Sequence, residues 1–351
     1  MANITLLHWN IETYGPTKFV NGNNAVFITY IANLVNNVNA DIFAMVEVKN
    51  SISAALPGLI AADVNGLQGI LPANNPWRSV RINSGFNNEA YIMMFRTDRN
   101  FQAARATAAG IVNGVAVNPD HGQGMNNVAG NRIQFPSRWT GQGGRRPFYV
   151  TFETTDTNNT FSVISYHAMF GAQTPLGVQR LPSLDYITQF EDGPPATAIT
   201  QSLIAGDFND DFDAANPGFY QNMLNIPTVQ ATDQSTSLLN NPPGGNDPST
   251  YLANAYDNIF QTVIVAAPAG NVVDLMVQSA VVPPPPVAPP AAQPGAGNLS
   301  AAAGAFNVAH IPNNYAAAAV AAVPPVSMPT AWAFVREAIS NHYPVVTTAT
   351  I

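Results

Sequence analysis

The sequence contains no cysteine and is poor in charge. The absence of cysteine excludes a disulfide scaffold, a thiolate nucleophile and a cysteine-ligated zinc site. Charged residues make up 10% of the chain, with 13 Lys and Arg, of which two are Lys, against 21 Asp and Glu. The net charge of −8 argues against a protein that holds nucleic acid by charge alone. The negative net charge is nevertheless consistent with an enzyme that contacts a few phosphates and uses divalent cations.

A long uninterrupted apolar segment is also absent. Prolines interrupt the Ala-rich run around Ala316, and Met1–Leu7 has neither a basic region nor a long apolar stretch. We therefore expect a soluble chain without a membrane span or a signal peptide, located in the cytoplasm or secreted after processing. No segment indicates an obligate protein partner, so a monomer is expected.

Hydrophobic residues make up 46% of the chain, which is enough for a sizeable core. Apolar residues at helical spacing predict helices over Phe27–Val38, Leu181–Phe190 and Ala331–Ile339. Runs of apolar, aromatic and β-branched residues predict strands over Ile4–Ile11, Asp41–Val48, Tyr91–Arg96, Pro147–Thr154, Phe161–Ala168, Ser202–Asn209, Tyr256–Gln261 and from His342 onward. This alternation predicts a mixed α and β fold with sheets covered by helices.

Two segments have weak periodicity. The Gly- and Asn-rich stretch between Arg96 and Arg145 is interpreted as loops or an irregular hairpin. The Pro/Ala-rich segment 281–329 favours extended conformations with little packing. We interpret it as an insertion in a single domain spanning 1–351, because elements needed for the site lie on both sides. A linker between two domains fits less well, since the part that follows is too short to fold alone.

Polar residues stand where several predicted strands stop, and these residues are Asn10, Glu47, His167, Asp207, Asn209, Asp257 and His342. An unpaired polar group in an apolar setting costs about 1–3 kcal/mol. Strand ends that meet at one rim would let these groups satisfy each other around a metal and a phosphate. Taken singly, each has an ordinary structural explanation, and His8, His121 and His310 are interpreted as structural residues.

The ordered set resembles the endonuclease/exonuclease/phosphatase superfamily, and within it the DNase I-like branch. The matching segments are Trp9–Ile11, Asp41–Lys49, Glu89–Tyr91, Arg145–Pro147, Ser165–His167, Gly206–Asn209, Tyr256–Ile259 and Ile339–Val345. The resemblance implies an α/β (α+β) four-layer sandwich, in which two mixed, mainly antiparallel β-sheets are flanked by helices. It also implies a site at one edge of the sheets.

The resemblance implies a divalent-metal site. Glu47 would be the principal ligand of Mg²⁺ (or Mn²⁺), with Asn10 beside it and Asn341 completing the metal set. Asp207 and Asn209 would bind the metal or orient the attacking water and the phosphate. Oxygen ligands of this kind suit a hard cation, which polarises phosphoryl oxygens during in-line attack by water.

The resemblance further implies two histidines, His167 and His342, that flank the scissile phosphate. Glu89 would pair with the first and Asp257 with the second. A carboxylate on one imidazole nitrogen fixes the tautomer and raises the basicity of the ring, which leaves the other nitrogen for proton transfer. Arg145 resembles an arginine that offers a bidentate fork to phosphate.

Two positions depart from the pattern. Most relatives have Ser-Asp-His where this chain has Ser340-Asn341-His342, so a negative charge is lost and weaker metal binding is expected. An active natural variant, a weak enzyme and a deliberately inactivated form all remain open. Glu12 stands where DNase I-type enzymes tend to carry an arginine, and its charge would repel phosphate. Lys49, in contrast, occupies the place of a basic residue that enters the minor groove.

The leading hypothesis is therefore a metal-dependent phosphodiesterase, an endonuclease that hydrolyses its DNA substrate with little sequence preference, since backbone contacts carry little sequence information. The alternatives are a sphingomyelinase-like or inositol-phosphate phosphatase activity and a catalytically weakened binding module, the latter because of Asn341. A structural Ca²⁺ site involving Asp247, Ser249 and Thr250 is a further expectation, with a polar turn as the simpler interpretation.

Overall fold

The computed structural model describes residues 3–14, 24–84, 88–106, 110–112, 115–119, 148–157, 160–168, 201–209, 228–230, 235–241, 253–262, 269–272, 336 and 340–351. The segment 281–329 lies outside these residues, as do Arg145, Asp247 and the predicted helix over Leu181–Phe190. The predicted helix over Ala331–Ile339 also lies outside them, except for Arg336. The expectation of one domain with an insertion therefore stays a prediction.

The described elements are mostly strands. In chain order they are β1 (Asn3–Tyr14), α1 (Asn24–Asn37), β2 (Ile42–Lys49), α2 (Leu56–Gln68), a 3₁₀ turn (Pro72–Asn74), β3 (Trp77–Asn83), β4 (Glu89–Arg96), β5 (Phe101–Ala106), β6 (Gly110–Val112), β7 (Val115–Pro119), β8 (Phe148–Thr154), β9 (Thr160–His167), β10 (Gln201–Asp207), β11 (Thr228–Gln230), β12 (Asp257–Thr262), β13 (Ala269–Val272) and β14 (Val345–Thr350). No helix among these residues is long and apolar enough to cross a membrane.

Within the described residues the strands form two sheets. One has six strands in the order β13-β14-β1-β2-β4-β3, and the other has eight in the order β11-β12-β10-β9-β8-β5-β7-β6. In the first sheet the pair β1 and β2 is parallel, as are β9 with β10 and β5 with β7 in the second. Every other pair is antiparallel. The prediction of two mixed, mainly antiparallel sheets is confirmed.

The main core lies between the two sheets. Alternate residues of β1 and β2, such as Leu6 and Ala44, share it with Phe152 and Val163 of the eight-stranded sheet. Aromatic edge-to-face contacts join the layers, for example Phe95 with Phe152 at 5.2 Å between ring centroids. Because side chains alternate along a strand, every second residue of β1 faces this core.

The other residues of β1 face the helices. The ring of Trp9 lies 6.2 Å from that of Tyr30 on α1, and both residues are fully buried. Helix α2 has Pro57 in its first turn and ends at Gly69, whose φ of 69° is left-handed. The side-chain amide of Gln68 on α2 donates to Asn36 on α1, which fixes the two helices side by side against the six-stranded sheet.

The structure also corrects several local expectations. Helix α2 and strand β3 were not predicted, and β5, β6 and β7 occupy part of the stretch that was interpreted as loops or an irregular hairpin. Strand β1 continues three residues beyond Ile11. The last strand begins at Val345 rather than at His342, which makes only an isolated bridge with Ser237.

Candidate active site

Three neighbouring strands of the eight-stranded sheet bring His167, Asp207 and Asp257 side by side. Asp207 is in register with His167 on the parallel strand β9, and with Asp257 on the antiparallel strand β12. All three side chains are buried, with exposures of 2%, 1% and 0%. One row of the sheet therefore carries an imidazole and two carboxyl groups.

Glu47 reaches the same place from the six-stranded sheet. Simple alternation from Ala44 and Val46, which face the core between the sheets, would direct Glu47 away from it. The pairing of β2 with β4 shifts between Met45 and Val48, and Glu47 has a left-handed φ of 62°. Such an irregularity reorients a side chain at the cost of backbone strain, and it is frequent beside functional sites.

Asn10 connects the two sheets. Its side-chain amide donates to Glu47 Oε1 at 3.2 Å and to Asp207 Oδ2 at 2.8 Å, while its Oδ1 accepts from the backbone N–H of Glu12 at 2.9 Å. The backbone carbonyl of Asn10 accepts from the Ser340 hydroxyl at 2.8 Å. In this arrangement Asn10 holds two carboxylates together, and its role as a direct metal ligand stays a prediction.

His342 is held by Asp257. The His342 Nδ1 lies 2.6 Å from Asp257 Oδ2, and its Nε2 lies 3.9 Å from Asp207 Oδ2. Burial opposes the charged ring, but the carboxylates of Asp257 and Asp207 outweigh it and raise the pKa of His342 to about 10. Burial likewise opposes the charge on Asp257, yet the two facing imidazoles, those of His342 and His8, hold its pKa well below the ordinary value.

His167 lies between three carboxyl groups. Its Nε2 is 3.2 Å from Glu47 Oε1 and 3.5 Å from Asp207 Oδ2, whereas its Nδ1 is 3.7 Å from Glu89 Oε2. The structure thus brings His167 and Glu89 together, although at a separation longer than a hydrogen bond. Lys49 also approaches Glu89, with 3.7 Å between Nζ and Oε1.

The two loops that follow β10 and β9 are joined by Asn209. Its backbone N–H donates to Asp207 Oδ1 at 2.8 Å, and its side-chain amide donates to the carbonyl of Ala168 at 2.9 Å. The residue immediately before Asp207 must be a glycine, because a Cβ at position 206 would collide with the backbone carbonyl of Tyr166. The Gly-Asp-Phe-Asn segment is therefore specified by close packing as well as by its polar groups.

The two departures from the family pattern lie next to each other. The Glu12 Oε2 accepts from the backbone N–H of Asn341 at 3.1 Å. The Asn341 Oδ1 is buried and has no hydrogen-bond partner among the described residues. Glu12, like Glu47, has a left-handed φ, here 41°. A carboxylate from the first strand therefore stands beside Asn341, the position at which the family resemblance leads us to expect an aspartate.

The donor set fits a hard divalent cation. One oxygen or nitrogen atom from each of Glu47, His167 and Asp207 lies within 4.8 Å of the others, as do atoms of Asp207, Asp257 and His342. Burial, followed by repulsion from Asp257, raises the pKa of Asp207. A bound cation would relieve this accumulation of negative charge, and carboxylate oxygens are the ligands that Mg²⁺ prefers.

The predicted site residues within the described part of the chain meet at one rim of the two sheets, and Arg145 lies outside it. Sequence reasoning assigned no site role to Ser340 or Tyr91. The Tyr91 hydroxyl accepts from the backbone N–H of His167 at 3.3 Å, and the Ser340 hydroxyl accepts from that of His342 at 3.0 Å. Both residues belong to segments that carry the family resemblance, Ser340 to Ile339–Val345 and Tyr91 to Glu89–Tyr91, but neither was given a role from it.

Comparisons of the sequence with protein families and with curated proteins give no match. Solved structures do match the fold. An endonuclease/exonuclease/phosphatase family protein from Bacteroides thetaiotaomicron has a TM-score of 0.51 and 12% identity, covering 99% of this chain and 97% of that chain. An endonuclease/exonuclease/phosphatase from Bacteroides vulgatus has a TM-score of 0.52 and 12% identity, covering 100% of both chains.

A third structure is a mannosyl-6-phosphatase from Bacteroides thetaiotaomicron, with a TM-score of 0.51 and 13% identity, covering 99% of this chain and 100% of that chain. The fold of this chain is thus that of the endonuclease/exonuclease/phosphatase, or DNase I-like, superfamily. The resemblance stated from the sequence motifs is confirmed at the level of the fold.

Proposed function

We propose that this protein is a hydrolase of the endonuclease/exonuclease/phosphatase superfamily, a Mg²⁺-dependent endonuclease that hydrolyses DNA with little sequence preference. One observation carries the proposal. The Nε2 atoms of His167 and His342 approach the same oxygen, Asp207 Oδ2, at 3.5 and 3.9 Å. Two imidazoles that converge on a buried carboxylate, next to Glu47, provide proton donors beside a group of side chains that could hold a cation.

The histidines would divide the proton chemistry. Because Asp257 engages Nδ1 of His342, the Nε2–H is the atom that can donate to a phosphoryl or leaving oxygen. His167 Nε2 faces Glu47 and Asp207, where it can hold or accept the proton of an attacking water. When bound, a divalent cation supplies positive charge that polarises the phosphoryl oxygens. Glu47 and Asp207 would hold the cation, and Asn341 would complete the metal set.

Two basic residues would contact the substrate. Lys49 is adjacent to Glu89 at the site and would enter the minor groove of the DNA, while Arg145 would offer a bidentate fork to a backbone phosphate. Base-edge contacts are not needed for such binding, which is why little sequence preference is expected.

A second candidate is a phosphatase or phosphodiesterase acting on a smaller phosphoester, such as an inositol phosphate or sphingomyelin. The position of Glu12 favours it, because a carboxylate beside the site repels an extended phosphate backbone more than one small phosphate. One of the matching structures is a phosphatase by name. A catalytically weakened binding module is the third candidate, and Asn341 is the reason for it.

The deciding experiment compares substrates with the intact protein. Nicking of supercoiled plasmid in Mg²⁺ or Mn²⁺ is expected, with its loss in EDTA and in His167→Ala. Glu153→Gln on β8, which is not among the site residues, is the control that should keep full activity. Faster turnover of an inositol phosphate or sphingomyelin than of DNA would select the second candidate.

Metal binding is measured separately by calorimetry. Glu47→Gln is expected to weaken Mg²⁺ binding about 10- to 100-fold, whereas Glu153→Gln on β8 leaves it unchanged. The absence of both metal binding and turnover in the unmodified protein would leave the binding module as the remaining candidate.

A further inference from the structure

His8 is a buried histidine that the proposed mechanism does not use. It lies on β1, on the face that points between the two sheets, and it is 0% exposed. Neither of its ring nitrogens has a hydrogen-bond partner among the described residues. Buried polar groups are rarely left in this state, because removal from water costs free energy that only a partner restores.

The group that faces His8 is a carboxylate with an unused oxygen. The His8 Nε2 lies 3.7 Å from Asp257 Oδ1, which is itself buried and without a hydrogen bond. The other oxygen of this carboxylate, Oδ2, contacts His342 Nδ1 at 2.6 Å. One carboxylate is therefore placed between two imidazoles, and each of its oxygens faces one of them.

We propose that His8 is a positioning residue, which donates from Nε2 to Asp257 Oδ1 and so fixes the carboxylate that orients His342. The separation of 3.7 Å needs to shorten by only about 0.8 Å to reach an ordinary N–H···O distance of about 2.9 Å. Such a bond would satisfy two unpartnered atoms at once. It would also prevent rotation of the carboxylate about its Cβ–Cγ bond. Such a rotation would move Oδ2 and so disturb the ring of His342.

The rest of the Asp257 surroundings supports this assignment. Its backbone N–H donates to the Thr236 hydroxyl at 2.9 Å, which fixes the main chain but not the carboxylate plane. Thr236 is fully buried, so this side of Asp257 is closed to solvent. The side-chain orientation of Asp257 then depends on its two imidazole neighbours, and His8, which is fully buried, is the one to which the proposed mechanism gives no proton transfer.

A merely structural role for His8 makes a different prediction. A ring that only fills the core can be replaced by phenylalanine with little loss, whereas a hydrogen-bond donor cannot. Glutamine carries its amide nitrogen near the position of Nε2, and asparagine carries its amide nitrogen near that of Nδ1. Three variants therefore distinguish the possible roles. His8→Gln keeps a donor near Nε2, His8→Asn keeps a polar group without that donor, and His8→Phe keeps only a ring.

The proposal rests on the proposed function for its kinetic test. The kcat of His8→Asn and of His8→Phe is expected to fall about 10-fold or more, with KM changed less than about twofold, because His8 positions another residue without touching substrate. His8→Gln is expected to keep kcat within about twofold of the unmodified value. An equal loss in all three variants, or no loss in any, overturns the proposal.

A second measurement does not depend on activity. The chain has five histidines, so ring ¹⁵N resonances of the metal-free protein can be assigned with single substitutions. The His342 Nδ1 signal is expected to move in His8→Asn and His8→Phe and to stay in place in His8→Gln. A His342 signal that does not move in the first two variants overturns the positioning role, whatever substrate the enzyme turns over. The Asn and Gln variants keep the comparison possible if the Phe variant does not fold.

Discussion

The carboxylate of Asp257 and the imidazole of His342 form a buried hydrogen bond of 2.6 Å, although the residues are 85 positions apart in the sequence. Asp257 is the first residue of β12, and His342 lies three residues before β14. The backbone of His342 is fixed independently, because its carbonyl accepts from the Trp9 indole at 2.7 Å. The ring therefore presents Nε2 toward Asp207 in one defined orientation.

The first prediction concerns the protonation of His342. Its folded pKa of about 10 lies above the ordinary 6.5, so its contribution to stability is complete below pH 6.5 and is lost as the pH rises through 10. In Asp257→Asn the attraction of the Asp257 carboxylate is lost while burial and the attraction of Asp207 remain, so the pKa of His342 should fall. Ring ¹⁵N titration in EDTA measures this directly, and urea unfolding should show a decline between pH 6.5 and 10 in the unmodified protein alone. An unchanged titration in the variant would contradict the assignment.

The second prediction concerns the neighbouring residues Glu12 and Asn341. Asn341→Asp adds a carboxylate and should strengthen Mg²⁺ binding roughly tenfold if residue 341 belongs to the metal set. Glu12 accepts from the N–H of residue 341, so its charge opposes a second carboxylate there. The double variant with Glu12→Gln should therefore bind more tightly than Asn341→Asp alone. Calorimetric titration of the four proteins gives the coupling. Identical affinities in all four would remove residue 341 from the metal set.

The third prediction tests the close approach of β10 to β9. In Gly206→Ala the new methyl collides with the Tyr166 carbonyl in the centre of the eight-stranded sheet. The expected loss is about 1–3 kcal/mol of unfolding free energy, as for other overpacked cores. Gly66→Ala is the matched control, because nothing lies within 4 Å of its Cβ and the position is helical. The control should gain about 0.5–1 kcal/mol. Urea unfolding measures both, and equal effects would contradict the packing argument.

The sequence predicted strands well where apolar runs are buried on both sides, as in β4, whose residues are all buried. Strand β3 was missed because it lies at the edge of its sheet and places Arg81 in solvent. Helix α2 was missed because Pro57, Gly58 and Gly66 are poor helix formers in isolation. Its buried side, with Ile60 and Val64, is stabilised by tertiary packing, which a local sequence pattern does not predict.

Polar groups at strand ends predicted part of the candidate site, and the family resemblance added Glu89, Lys49 and Asn341. The resemblance also implied the pairs of Glu89 with His167 and of Asp257 with His342, whereas the other contacts of the site were not predicted. The left-handed backbone conformation of Glu47 determines which face of the sheet its carboxylate reaches. This conformation cannot be predicted from the residue type. The contact between Glu12 and Asn341 spans 329 positions, and the approach of His8 to Asp257 depends on how the sheets stack. Such relationships arise from three-dimensional packing and have no local sequence signature.

The amide of Asn10 donates to Glu47 within its own sheet and to Asp207 across the interface. The groups that would bind a cation, Glu47 and Asp207, therefore lie on two different sheets and meet only where these sheets pack together. Cation affinity and global unfolding are consequently linked quantities: a cation at 100 times its Kd would raise the free energy of unfolding by about 2.7 kcal/mol. Either layer alone would supply only part of the coordination, so occupancy by the ion reports on the assembly of the whole sandwich.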